Sequence, residues 1–250
     1  MAGHQLKVAH GRIIDEMLRT IYASDQEMYP APLSFDRLRS WVDACPDLCV
    51  CFEKQPSTEE PGHPDTLIPL GVIIVLPLLQ APWEDVLVGK VKEIEIDPTT
   101  MFPNIGTAKA HKEVVGLHVF HIERFAAFQD LSPTRSFVEF ALSEIARRVA
   151  GITTWTVAGF SALTATPAGK KAFERMGFSA TGYRETFTEE SVDDASDGAE
   201  TETLKRVVMS CVYDGKDESQ PLTHLDMMGK DSRKVIATSE MTVRYCAAAG

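Results

Sequence analysis

An α/β fold is what this sequence predicts, on three observations. Two amphipathic helical periods open the chain, and strand-like runs follow them. A long helical period near residue 138 then leads into a β-branched run and a short helix closed by glycine.

Ile14, Met17, Leu18 and Ile21 recur at i, i+3, i+4 and i+7, which puts one apolar stripe on a first helix ending before Pro30 and Pro32. Ser34 can cap a second helix, whose buried face is Phe35, Leu38, Trp41 and Val42 and which Pro46 stops. Leu48 to Glu53 reads as a strand, residues 55–65 as a polar loop rich in Pro and Gly, and Leu67 to Leu76 as the next strand. Lys90 to Ile96 reads as a further strand ended by Asp97-Pro98, with an inserted loop over about 97–111. In the strand Val114 to Arg124, His118, His121 and Glu123 interrupt an apolar run. Ser132-Pro133 is a cap-then-proline start for a helix carrying Val138, Leu142, Ile145 and Val149 as far as Gly151. Thr153 to Phe160 is a strand, and Thr166-Pro167 opens a short helix with Ala168, Ala172, Phe173 and Met176 inward and Gly177 at its end. Phe178 to Phe187 and Leu204 to Tyr213 read as paired strands around a solvated loop, 188–203, with seven acids and no base. From Asp214 onward only Thr242 to Tyr245 shows a pattern, so the expected domain is 1–213 and 214–250 is a tail without assigned structure.

Composition narrows the function. Hydrophobic residues make up 44% and charged residues 24% of 250, enough for a sizeable core. A formal net charge of −11 disfavours nucleic-acid phosphates and anionic membrane surfaces as partners and leaves a small-molecule substrate as the expectation. The longest apolar stretch, Val72 to Leu79, is far short of the roughly 20 residues of a membrane helix. No basic start followed by an apolar run marks the first thirty residues, so the expected address is cytoplasmic. Five cysteines suit reduced thiols better than a disulfide framework, and Cys45, Cys49 and Cys51 have no partner set at zinc spacing, so no metal site is expected.

The order strand, long helix, strand, short helix, then Gly177-Phe178 opening a strand resembles the core of the GNAT acyltransferases. The segment Ala172-Phe173-Glu174-Arg175-Met176-Gly177-Phe178 looks like that family's closing A-x-Y-E-K-x-G-F-type segment, and the resemblance covers about residues 10–213. It implies a GNAT-like mixed, mostly antiparallel sheet flanked by helices, with acetyl-CoA as cosubstrate. In the family the strand before the long helix splays from its neighbour and its backbone holds the pantetheine arm, which implies roles for Ile122 and Arg124. The helix amino end receives the pyrophosphate, where free N–H groups and the helix dipole suit an anion. At that place stands Gln129-Asp130-Leu131-Ser132-Pro133-Thr134. Gln129 fits, but Ser132 and Thr134 replace glycines, Pro133 lacks an N–H and Asp130 adds negative charge. The hydroxyls of Ser132 and Thr134, with Arg135 and Ser136, remain to hold phosphates.

Phe173 stands where many members carry the tyrosine that reprotonates the leaving thiolate, and Tyr183 is the nearest alternative in sequence. Histidine titrates near working pH, which makes His118 and His121 candidate bases. Side chains alternate along a strand, so only one of the two is expected to face substrate, with Glu123 on the side of His121. The resemblance implies an acceptor pocket beneath the first two helices, lined by Tyr29, Phe35 and Trp41. The leading expectation is acyl transfer from acetyl-CoA to a small amine. The alternatives are histidine acid–base chemistry without CoA on the same fold, and a non-catalytic binding module. Ser161 lacks the second glycine of a G-x-S-x-G elbow and is not expected to be a hydrolase nucleophile.

Overall fold

Strands built from Val, Ile, Leu and Phe cover both faces of one sheet with apolar side chains, and helices close over each face. A computed structural model describes residues 8–28, 33–54, 68–104, 112–131, 136–192, 204–213 and 234–246. The strands are β1 (Val8–Arg12), β2 (Cys49–Lys54), β3 (Ile68–Leu79), β4 (Glu113–Arg124), β5 (Trp155–Thr164), β6 (Ser179–Val192), β7 (Leu204–Tyr213) and β8 (Lys234–Tyr245). The helices are α1 (Asp15–Met28), α2 (Phe35–Ala44), α3 (Gln80–Leu87), α4 (Pro98–Met101), α5 (Ala126–Leu131), α6 (Phe137–Ala150) and α7 (Pro167–Arg175). The sheet order is β1-β2-β3-β4-β5-β8-β6-β7, antiparallel throughout except for the parallel pair β4 and β5.

Two apolar layers flank the sheet. Helices α1, α2 and α3 pack Leu18, Ile21, Leu38, Trp41 and Trp83 on one face. Helices α5, α6 and α7 pack Phe128, Phe137, Leu142, Ile145 and Phe173 on the other. Each fully buried side chain of this size stabilises the fold by about 1.5–3 kcal/mol. Helix starts follow the local chemistry. Ser34 accepts from the Arg37 N–H at the start of α2, and Thr166 accepts from Gly169 ahead of Pro167 in α7, each cap worth about 1 kcal/mol. Gly177 follows α7 with φ +82, a left-handed conformation that glycine adopts without a Cβ penalty.

The structure departs from the sequence expectations at several elements. Lys90 to Ile96 is a turn and a 3-10 helix (Glu93–Glu95), because the Lys92 N–H is taken locally by Glu95 Oε2 at 2.8 Å instead of joining a ladder. Helix α3 precedes it, and α4 is a single turn inside the expected loop, capped by Asp97. Helix α6 is capped by Ser136, not opened by Ser132-Pro133, since the Ser136 hydroxyl accepts from the Glu139 N–H. Strand β5 runs on to Thr164 and so carries Ser161 inside the sheet. Residues assigned to a tail form β8, which lies between β5 and β6. Among the described residues, no helix is long and apolar enough to cross a membrane. Nor do their His, Cys, Asp and Glu side chains form a group of three that could hold a metal ion. Cys45, Cys49 and Cys51 are buried thiols, with the first two sulfurs 3.8 Å apart.

Candidate functional site

Strand β4 organises the site through two irregularities. On one side it pairs with β3 as far as Arg124 opposite Gly71, but Ile74 faces His121 while Val75 faces Val119, leaving Phe120 as an extra residue. Such a bulge shifts the alternation by one position. His118 and His121 therefore share the face covered by α1, α2 and α3, which corrects the expectation that they oppose each other. Glu123 lies on that face beside His121, as expected, and Ile122 packs on the α6 side. On its other side β4 pairs with β5 only from Glu113 to Val119. Beyond Val119, residues 120–124 continue on β3 while β5 continues on β8 to Thr164 opposite Glu240, so the two parallel strands part.

The sheet is mixed and mostly antiparallel with helices on both faces, as the sequence led us to expect. No family model and no curated protein matches the chain. Several solved structures overlap it across nearly its full length. NAA60 of Arabidopsis thaliana, in complex with acetyl-CoA, has 10% identity over 96% of this chain and 98% of its own, with a TM-score of 0.45. A mosquito arylalkylamine N-acetyltransferase like 5b has 9% identity over 96% and 100%, at 0.40. The ribosomal-protein-S18-alanine N-acetyltransferase of Escherichia coli has 10% identity over 98% and 97%, also at 0.40. The strand order is read from the chain's own ladders and not from these overlaps.

Two polar clusters stand on the sheet where β4 and β5 part. In the first, His121 is 6% exposed, with Nδ1 3.0 Å from Asp25 Oδ1 of α1 and Nε2 3.4 Å from Glu123 Oε2. The second contact is an ion pair without hydrogen-bond alignment, so Nε2 has no hydrogen-bond partner among the described residues. Burial alone would lower the imidazole's pKa, but Asp25 and Glu123 outweigh it and raise the value to about 9. His121 is therefore an imidazolium at neutral pH, and it holds the Glu123 carboxyl below its usual range.

In the second cluster, fully buried His118 places Nδ1 2.9 Å from Ser161 Oγ and Nε2 2.7 Å from Glu93 Oε1. The indole N–H of Trp83 donates to the same Ser161 oxygen at 2.8 Å. Burial raises the Glu93 carboxyl's pKa above its ordinary value, against the opposing pull of His118. Glu93 had no place among the sequence candidates, because Lys92, Glu93 and Glu95 read as charged residues mixed into the apolar pattern of a strand.

The other expected residues scatter. Trp41 is core, its indole N–H donating to Ile96 O at 2.8 Å and its ring edge-on to Phe120. Phe35 is half-buried against Tyr22 and the Arg19 guanidinium. Tyr183 is buried and donates to Glu185 at 2.5 Å, and burial together with that carboxylate pushes its phenol well above the ordinary value. Phe173 packs edge-on to Phe178 in the α6 layer, as a core residue. Arg124 donates to Gln129 Oε1 at 2.9 Å on the exposed rim beyond β4. Tyr29, Ser132, Thr134 and Arg135 lie outside the described residues.

Proposed function

We propose that the protein transfers an acyl group from acetyl-CoA, or a related thioester, to a small amine. The observation carrying this is the parting of β4 from β5 after Val119, with both histidines turned to one face of the gap. A pantetheine arm is an extended chain of amides, and β4 residues 120–124, beyond the β5 ladder, offer it N–H and C=O groups to pair with. Arg124, Gln129 and the amino end of α6 suit the phosphates.

Acetyl-CoA, when bound, would supply the acyl group as an activated thioester. His121, held by Asp25 and Glu123, supplies a proton to the departing sulfur, a role left open by Phe173. Its value of about 9 is close to that of an ordinary thiol, about 8.5, which suits proton transfer between them. The carboxylates of Asp25 and Glu123 favour a cationic acceptor.

One observation favours a second reading, histidine acid–base chemistry without CoA. The α6 amino end is capped by its own Ser136 and carries Glu139 in its first turn, which competes with an anion. Thermal unfolding with and without acetyl-CoA separates the two. Ligand at a hundredfold excess over its Kd adds about 2.7 kcal/mol to stability. A melting point unmoved by millimolar acetyl-CoA would sink the acyl-transfer reading and leave the second.

A further inference from the structure

The hydrogen bonds around His118 close in only one arrangement. Ser161 Oγ accepts from the Trp83 N–H, so its single proton is free for one acceptor, and His118 Nδ1 at 2.9 Å is that acceptor. With Nδ1 accepting, the imidazole proton sits on Nε2 and is donated to Glu93 Oε1 at 2.7 Å. Trp83 Nε1, Ser161 Oγ, both His118 nitrogens and Glu93 Oε1 then each have a partner of the correct kind. The opposite tautomer would turn two donors on the one Ser161 oxygen and leave that hydroxyl's proton without its acceptor.

The place of this line in the sheet gives it a use. His118 pairs with Ser161 one position before the ladder ends at Val119 and Ala162, so it stands next to the point where the two strands part. Glu93 lies beyond that ring with its side chain 10% exposed, the first group on the line that reaches solvent. The titratable groups facing it are His118 from β4, Asp25 from α1 and Glu185 from β6.

We propose that Glu93 receives the acceptor's proton and that Ser161, backed by Trp83, is a positioning residue that fixes the His118 tautomer holding Glu93 in place; this rests on the acyl-transfer reading above. Two protons leave the ammonium nitrogen overall. The first passes to Glu93 and on to water, freeing the lone pair that forms the C–N bond. The second leaves as the C–S bond breaks and replaces the proton that His121 gives to sulfur. Burial first, and then the Glu185 and Asp25 carboxylates, keep the proton affinity of Glu93 above that of a solvated glutamate, which suits a group that must take a proton from an amine.

The test uses the full chain with acetyl-CoA and three amines, butylamine, diaminobutane and alaninamide, after the acetyl-CoA thermal shift has been read. Glu93→Gln lowers kcat about a hundredfold, leaves the KM for acetyl-CoA unchanged and removes the acid limb of the kcat profile, whereas Glu93→Asp keeps that limb. Ser161→Ala lowers kcat about tenfold, the equivalent of one hydrogen bond, with KM unchanged. Nitrogen-15 spectra of the histidines read the tautomer without any turnover. His118 gives the Nε2–H pattern in the wild type and a mixture in Ser161→Ala, and Trp83→Phe is the second variant if that protein does not fold. Undiminished kcat in Glu93→Gln overturns the role of Glu93 while acyl transfer stands. A His118 pattern unmoved by Ser161→Ala overturns the positioning role. A wild type with neither thermal shift nor product overturns the reaction itself.

Discussion

Between pH 6.5 and pH 9 wild-type protein loses about 3 kcal/mol more stability than a His121→Gln variant. The imidazole is buried between Asp25 and Glu123, which raise its pKa from 6.5 to about 9. Below 6.5 the folded and unfolded chains both hold the proton, and the stabilisation is fully present. Between 6.5 and 9 the folded protein keeps a proton that the unfolded chain has released, so each pH unit removes about 1.4 kcal/mol. Above 9 the site has discharged and the contribution is gone. Other groups titrate in the same window, and the variant subtracts them. Urea unfolding of both proteins at half-unit steps gives the two curves. Parallel curves would mean that His121 is not charged in the folded protein, and they would remove its role as proton donor.

Gly116→Ala costs about 4 kcal/mol, a large effect for one methyl group. Gly116 and Gly159 face each other across β4 and β5, and the Trp83 indole lies over both. A Cβ at 116 would come within 2.0 Å of the ring, and one at 159 within 3.0 Å. The indole of Trp83 is 1% exposed and has no slack, so it must leave, losing its burial and its bond to Ser161. The cost depends on the ring. In a Trp83→Leu background the same Gly116→Ala change costs under about 1 kcal/mol, and the double-mutant cycle reports a strong coupling. Denaturant midpoints of the four proteins measure it, and additive costs would place the indole elsewhere.

Local chemistry made much of this fold legible. The stripe through Leu18 and Ile21, the Ser34 cap, and the run from Val138 to Val149 each specify their element within a few residues of chain. The order of helices and strands through α7 followed largely from those elements. The site was less legible, because what assembles it is not local. One extra residue at Phe120 brings His118 and His121 onto the same face, and alternation read along β4 alone gives the opposite answer. Glu93 reaches His118 only because a short turn after α3 folds back over the sheet, an event that its neighbours in sequence do not announce. Strand β8 mixes Ser239, Glu240 and Thr242 with Met241 and Val243, so its pairing is decided by β5 and β6 and not by its own pattern.

The position of β8 also constrains how the protein is made. A ribosome delivers β5, β6 and β7 before β8, yet β5 and β6 meet only through it. Until residues 234–245 are made, the strand that joins β5 to β6 is missing, and the edges it covers are open to pairing with a neighbouring molecule. Some twenty residues between β7 and β8 must be translated first, an interval of about 1–4 s at 5–20 residues per second. Chaperone engagement during synthesis falls in that interval, and its natural target is the facing edges of β5 and β6.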